Sequence, residues 1–326
     1  MDIQSSASQR ADGSLIAVHK SLIQRVTEYA KALISLMKMG IVIGNVVAAT
    51  GGFFLASAGQ INFIYYLITM LGISLVIASG CVFNNIIDTD IDCLMQRTQD
   101  RVLVTGQVSK SVALAWSMLL LFAGFNILAW FTNTITLLLG AFGWLMYVVM
   151  YTLLSKRQSV HSTLVGSFSG STPPVMGYTA VTGQFDLTAL LIFLAFCAWQ
   201  IPHTYAIAVF RSDDYRQSNI PLLPLVKGYR IAKNQMLFYT ALYILAIFGL
   251  FVIDSIHAVT FFCLTAMGIY WLVRIHNAYD ADETSKQARA WGRELFFISI
   301  MAVSLMSLLF SINFVWSWLF EFNWLS

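Results

Sequence analysis

Asn84-Asn85-Ile86-Ile87-Asp88-Thr89-Asp90-Ile91-Asp92, followed by Arg97-Thr98-Gln99-Asp100-Arg101, is the stretch from which the rest of the chain is read. It comes directly after an apolar run from about Ile61 to Phe83, so it starts where a buried helix reaches a membrane surface. A helix advances about 100° per residue, which puts Asn84, Asp88 and Asp92 within an arc of about 80°. One face then carries a carboxamide and two carboxylates in a row, while Asn85 and Asp90 point elsewhere. Carboxylates this close repel unless a cation sits among them, and a hard divalent ion that prefers oxygen is the usual solution. Arg97 and Arg101 add donors suited to phosphate oxygens. The row reads as a magnesium-diphosphate clamp. The competing reading, a solvated and salt-bridged helix cap, leaves unexplained why the spacing begins inside the apolar segment with an amide oxygen.

The surrounding composition sets the context. The chain has 326 residues, 58% of them hydrophobic and 11% charged, and its mean hydropathy is +0.72. A soluble domain of this length needs far more polar surface, so the fold class is all-α integral membrane. Stretches long enough to cross a bilayer lie at about 32–56, 61–83, 110–130, 134–154, 161–181, 187–209, 233–253, 256–274 and 295–318. These nine candidate transmembrane helices make one polytopic domain over residues 23–320, preceded by a polar, mobile tail over 1–22. The tail lacks the charged-then-apolar pattern of a cleaved signal, so the first span is expected to be retained. Cys81, Cys93, Cys197 and Cys263 form no CxxC pair or metal spacing and imply no disulfide framework.

Charge alternates sharply between connections. The tail and first span hold Arg10, Lys20, Arg25, Lys31 and Lys38, and the loop after span two holds Arg97, Arg101 and Lys110. Lys156 and Arg157 follow span four, Arg211, Arg216, Lys227, Arg230 and Lys233 follow span six, and Arg274, Lys286, Arg289 and Arg293 follow span eight. These groups account for all 19 Lys and Arg residues, and the other connections have none. The positive-inside rule then predicts a cytoplasmic N-terminus and a C-terminus outside, as in a bacterial-type cytoplasmic (inner) membrane. With the basic residues spread through short loops, no nucleic-acid partner is expected.

Further constellations fall at the same inner ends. Tyr151 to Arg157 closes span four with two adjacent cations, readable as topology anchors or as diphosphate ligands. Span five carries Gly166, Ser167, Ser169, Gly170 and Ser171, then Pro173-Pro174 and Gly177, a close-packing helix that the prolines bend or break. Span six contains Trp199-Gln200-Ile201-Pro202-His203-Thr204-Tyr205, about three turns before Asp213-Asp214. His203 is readable as a hydrogen-bonded core residue, a haem-iron ligand or a proton carrier. The acidic ends of spans two and six lie four spans apart, an internal echo that would set both across one cavity. The polar, proline-broken segment from Asp213 to Gly228 reads as a lid or a connector.

These residues are familiar. Asn84-xxx-Asp88-xxx-Asp92 with Arg97-Thr98-xx-Arg101 resembles the first aspartate-rich motif of the intramembrane prenyltransferase superfamily. More narrowly, Tyr151 to Arg157, Gly166-xxx-Gly170-xx-Pro173-Pro174-xx-Gly177-Tyr178 and Trp199-Gln200-Ile201-Pro202-His203-xx-Ala206-Ile207 resemble its protohaem farnesyltransferase (haem O synthase) branch, as does Asp214-Tyr215 to Pro224. The resemblance runs from the first span to about Ile300. It implies nine helices around a central cavity open to the cytoplasmic side, with farnesyl diphosphate and haem B as substrates in the lipid bilayer. A haem A synthase or terminal oxidase assembly would stand downstream.

By position, the resemblance makes Asn84, Asp88 and Asp92 ligands of Mg2+, with Asp213 and Asp214 as a second acidic motif. Asn84, Arg97, Arg101, Lys156 and Arg157 would hold the diphosphate, with Asp88, Asp92, Arg97 and Lys156 central to catalysis, and His203 and Tyr205 on the acceptor side. The chain departs from the pattern in two places. Val209 and Tyr205 stand four and eight residues before Asp213, where the superfamily spaces further acids, so a second complete clamp is not expected. Leu36-Met37-Lys38-Met39-Gly40 lacks the proline that often follows this lysine, and Lys38 is given no role. The alternatives are a prenyltransferase with another aromatic or tetrapyrrole acceptor, an ion-coupled secondary transporter, and a non-catalytic oxidase assembly factor. Oligomeric state, haem access and the tunnel lining leave no mark in the sequence.

Overall fold

Backbone inside a bilayer must satisfy its own hydrogen bonds, and this chain does so as helices. The structure, a computed structural model, describes residues 22–277 and 286–321, and among these every regular element is helical. Apart from Leu22, the tail expected over 1–22 lies outside the described residues. In order, the elements are α1 (Leu22–Leu36), α2 (Met39–Ser57), α3 (Phe63–Ile87), the short α4 (Thr89–Asp92), α5 (Lys110–Phe131) and α6 (Thr134–Leu145), which runs on as a π-helix over Met146–Ser155. Then come α7 (Ser162–Gly170), α8 (Thr172–Thr182), α9 (Leu187–Phe210), the short α10 (Ser212–Gln217) and α11 (Leu223–Val226), α12 (Tyr229–Val252), α13 (Ala258–His276), α14 (Lys286–Ser311) and α15 (Asn313–Glu321).

Among the described residues, eight helices are long and apolar enough to cross a membrane: α2, α3, α5, α6 with its π extension, α9, α12, α13 and α14. The chain is a multi-pass integral membrane protein. The sequence reading expected nine spans, and the difference lies in residues 161–181, which form two shorter helices meeting at Ser171. The cause is Pro173-Pro174 in the first turn of α8, a position that tolerates a missing N–H but does not let α7 continue through it. The expected first span is also divided. Between α1 and α2 Lys38 takes a left-handed backbone conformation, φ 53° and ψ 59°, which ends one helix and starts the next. The last expected span instead begins at Lys286 and stops at Ser311, with α15 beyond it.

The helices pack as a ring closed by α2, which contacts both α3 and α14. Where α2 crosses α8, the two backbones touch. A Cβ at Gly52 would lie 1.9 Å from the Pro174 carbonyl oxygen, and one at Gly177 would lie 2.0 Å from that of Ala49. Only glycine fits at either position, which explains Gly177 among the small residues of span five. Phe196, Tyr243, Ile247, Leu264 and Phe310 form one core cluster on the α9–α12–α14 side, and Ile201, Tyr205, Met236, Trp271 and Leu295 form a second. Ile64, Phe122, Trp130 and Phe262 are exposed around the outside, as a lipid-facing surface requires.

Candidate active site

The acid row begins in the last turn of α3. Asp88 caps that helix at φ −87° and ψ 3°, and its carbonyl accepts from the Asp92 N–H at 2.8 Å, so α4 carries the row onward after a bend. Asn84, Asn85, Asp88 and Asp92 are all buried. A buried ionised carboxylate left alone costs several kcal/mol, and each of these acids has a cation. Lys156 Nζ donates to Asp88 Oδ2, and Arg157 Nη2 lies 3.6 Å from Asp88 Oδ1. Arg101 Nη1 donates to Asp92 Oδ2 at 2.5 Å and to Asn85 Oδ1 at 3.1 Å. Asn85 Nδ2 in turn donates to the Leu36 carbonyl at 2.8 Å, tying the end of α1 to the site.

Asn84 is the hub of the row. Its Nδ2 donates to Asp88 Oδ2 at 2.7 Å and to Thr152 Oγ1 at 3.2 Å, while its Oδ1 accepts from Lys38 Nζ. The left-handed turn at Lys38 delivers that ammonium, and desolvation, with the nearby Arg101 charge second, lowers its pKa to about 8. The π-helix brings in Thr152 and Lys156. Its wider turns are visible in the bonds from Thr152 Oγ1 to the Tyr147 carbonyl and from Lys156 N–H to the Tyr151 carbonyl, both 2.8 Å and five residues apart. Farther out, Arg157 grips the exposed Asp90 with bonds of 2.6 and 2.7 Å, which hold that carboxyl below its usual range.

The row thus collects Lys38, Arg101, Lys156 and Arg157 around Asp88, Asp90 and Asp92, an excess of positive charge. Among the described residues no three acids, histidines or cysteines form a self-contained metal cage. Magnesium beside a phosphorylated substrate does not need one, because one or two carboxylates, phosphate oxygens and waters complete its shell. The donor set fits such an ion. All its side-chain acceptors are hard oxygens, and Asp88 Oδ1 is buried with no hydrogen-bond partner.

The second acidic end is built differently. Asp213 is exposed and forms a two-bond pair with Arg289, at 2.7 and 3.0 Å, while Asp214 is half-buried. The two ends nevertheless meet, because Ile91 and Met95 pack against Ala208, Ile220 and Leu222 with Tyr215 at the edge. Burial raises the Tyr215 phenol pKa, and Tyr151, Arg97, Lys156 and Asp214 all act on it electrostatically. Arg97 is exposed and makes no ion pair among the described residues.

Beside the row lies a cavity of about 500 Å³ bounded by α2, α3, α6, α7, α8, α9 and α14. Gly80 and Cys81, one turn before Asn84, line it together with Tyr147 and Tyr151 of the π-helix. Trp199, Gln200, His203 and Phe296 form another part of its wall. Tyr205 does not line it. That side chain is buried in the second core cluster, and its hydroxyl donates to Gln235 Oε1 at 2.9 Å. Lys38, Asn85, Thr152 and Tyr215 take part without having been given a role from the sequence, although Thr152 and Tyr215 fall within the stretches quoted above and Asn85 was expected to point elsewhere. Lys38 alone carried a signal, a cation at the margin of an apolar run, which requires a partner.

Residues 45–301 match the model of the UbiA prenyltransferase family, and the chain belongs to that family. Within it, the chain is similar to the protoheme IX farnesyltransferase of Chromohalobacter salexigens, with 45% identity over 288 residues, 87% of this chain and 95% of the relative. The protoheme IX farnesyltransferase of Photorhabdus laumondii is 42% identical over 283 residues, with the same coverage of 87% and 95%. Among solved structures, a digeranylgeranylglyceryl phosphate synthase superposes with a TM-score of 0.72 at 17% identity, covering 88% of this chain and 99% of its own. A UbiA homolog from Archaeoglobus fulgidus, bound to GPP and Mg2+, gives 0.63 at 14% identity, covering 87% and 99%. At such low identity these two share the fold with this chain.

Proposed function

We propose that the protein transfers the farnesyl group of farnesyl diphosphate to a vinyl group of haem B, with addition of water and release of diphosphate, to give haem O. The observation that carries the reading is the buried Asn84–Asp88–Asp92 row, crossed by Lys156 and Arg101, beside a largely apolar cavity. The names of the most similar relatives supply the acceptor, and the GPP and Mg2+ bound to the Archaeoglobus fulgidus homolog support the donor class. The positive-inside distribution of the basic connections supports a site at the cytoplasmic face of a cytoplasmic membrane with its cavity open to that side, and the kinked α7–α8 pair would be the ninth crossing.

Asn84, Asp88 and Asp92 would hold magnesium, and of the second acidic pair the half-buried Asp214, which acts on Tyr215, would be the candidate to join them, since Asp213 pairs with Arg289. Bound there, the ion neutralises diphosphate oxygens as a Lewis acid. Lys156, Arg157, Lys38 and Arg101 surround the leaving group, and Arg97 is free to reach it from the loop. They stabilise charge that grows as the allylic C–O bond breaks. The vinyl carbon attacks the allylic cation, the new cation beside the porphyrin takes up water, and a proton leaves, so atoms and charge balance. The cavity wall excludes bulk water from the allylic cation and orients the two substrates.

Incubation of the purified protein with haem B, farnesyl diphosphate and magnesium, followed by mass analysis of the porphyrin, tests the reading. A product heavier by one farnesyl group and one hydroxyl group is expected. Unchanged haem together with prenylation of a quinone-precursor aromatic acid would replace it with that activity. Ion-coupled transport accounts poorly for acids gathered at one helix end.

A further inference from the structure

Ser299 on α14 is fully buried and meets His203 on α9 across the interface of the two helices. Its Oγ lies 2.7 Å from His203 Nδ1 and 2.6 Å from the carbonyl oxygen of Phe296. A hydroxyl has one proton, and a carbonyl can only accept. The bond to Phe296 therefore uses the serine proton, and the serine oxygen must accept from an Nδ1–H. That assigns the tautomer: in neutral His203 the proton sits on Nδ1 and Nε2 presents a lone pair.

The ring is also held in orientation. Trp199 stacks on it at 4.7 Å between centroids and 20° between planes, and Phe296 lies against it at 5.5 Å. Trp199 is itself anchored through Nε1, which donates to the Ser299 carbonyl at 2.7 Å. His203, Trp199 and Phe296 all line the cavity, and Nε2 forms no hydrogen bond among the described residues. A flat, oriented imidazole whose second nitrogen donates to an oxygen behind it is the arrangement that makes histidine a good metal ligand.

We propose that His203 Nε2 is the axial ligand of the acceptor's porphyrin iron, with Ser299 the positioning residue that fixes its tautomer and plane. The assignment rests on the haem-acceptor reading above. It gives the acceptor a fixed point within the cavity, so that rotation of the macrocycle about that bond is limited by the walls and one vinyl group can face the diphosphate end. Tyr205, two residues beyond His203, takes no part, because its side chain lies in a core cluster and does not line the cavity.

The test uses the purified full-length protein titrated with ferrous haem B and, separately, with iron-free protoporphyrin IX. Resonance Raman of the ferrous complex should show an iron–histidine stretching band that disappears in His203→Gly and returns when imidazole is added. Ser299→Ala should shift the band to lower frequency and weaken haem binding about tenfold, the usual cost of removing a partner behind a metal-bound histidine. Ser299→Thr, which keeps the hydroxyl, should restore both. Iron-free porphyrin should bind all these proteins alike, and magnesium-dependent binding of farnesyl diphosphate by each variant reports an intact fold.

A band that survives in His203→Gly overturns the ligand assignment, as does equal loss of haem and iron-free porphyrin. If wild-type protein farnesylates haem B in either case, the proposed function stands without the ligand. Wild-type protein that binds no haem defeats both.

Discussion

The two acidic helix ends of this protein look alike in one dimension and behave oppositely in three. At the end of α3, Asp88 has a side chain only 1% exposed and lies against Lys156 and Arg157. After α9, Asp213 is 56% exposed and pairs with Arg289 in a setting close to solvent. An exposed pair of this kind contributes about 0–1 kcal/mol and is screened by salt. Removing one member of a buried pair leaves an uncompensated charge and costs about 3–5 kcal/mol. Burial, more than the number of carboxylates, separates an acid that organises a site from one that decorates a surface.

That contrast can be broken by substitution. Asp88→Asn keeps the shape of the row but removes its central charge, and magnesium-dependent pyrophosphate release should fall by about a thousandfold, the upper range for loss of a preorganised electrostatic partner. Lys156→Met retains the apolar stem and should lower kcat/KM for farnesyl diphosphate by about a hundredfold. Lys38→Met should cost about tenfold, seen mainly as a higher KM, because Lys38 reaches the row through Asn84 instead of pairing with a carboxylate. Asp213→Ala and Arg289→Ala should each leave turnover within about threefold and thermal stability within about 1 kcal/mol. A loss at Asp213 as large as that at Asp88 would erase the distinction and make the second end a metal site in its own right.

How much could be read beforehand follows the same division between local and distant. The Asn84–Asp88 part of the row was legible because i, i+4 spacing at a helix end fixes relative direction, and the hydrogen bond from Asn84 to Asp88 realises that spacing, whereas Asp92 follows in α4 after the bend at Asp88. Lys156 and Arg157 were recognisable as cations at an inner end, but nothing in their own segment said which carboxylate each would meet. The π-helix that turns Thr152 and Lys156 toward α3 leaves no hydropathy signature, since its residues continue the apolar run before it. Lys38 was set aside for want of a neighbouring proline, yet its left-handed backbone carries it to Asn84, 46 residues away. Tyr205 failed as an acceptor-side residue for a simple geometric reason: two positions from His203 on a helix is about 200° of rotation, so it faces the opposite side.

By itself the sequence determined that this is a helical membrane protein with its charge gathered at one set of helix ends. Hydropathy and helical periodicity are properties of a window of residues and need no knowledge of the rest of the chain. Only the tertiary structure decided that Lys156 would meet Asp88 and that Ser299 would sit behind His203, 96 residues distant. Those pairings join side chains from different helices, and their geometry is set by how whole helices pack, which no single stretch of sequence contains.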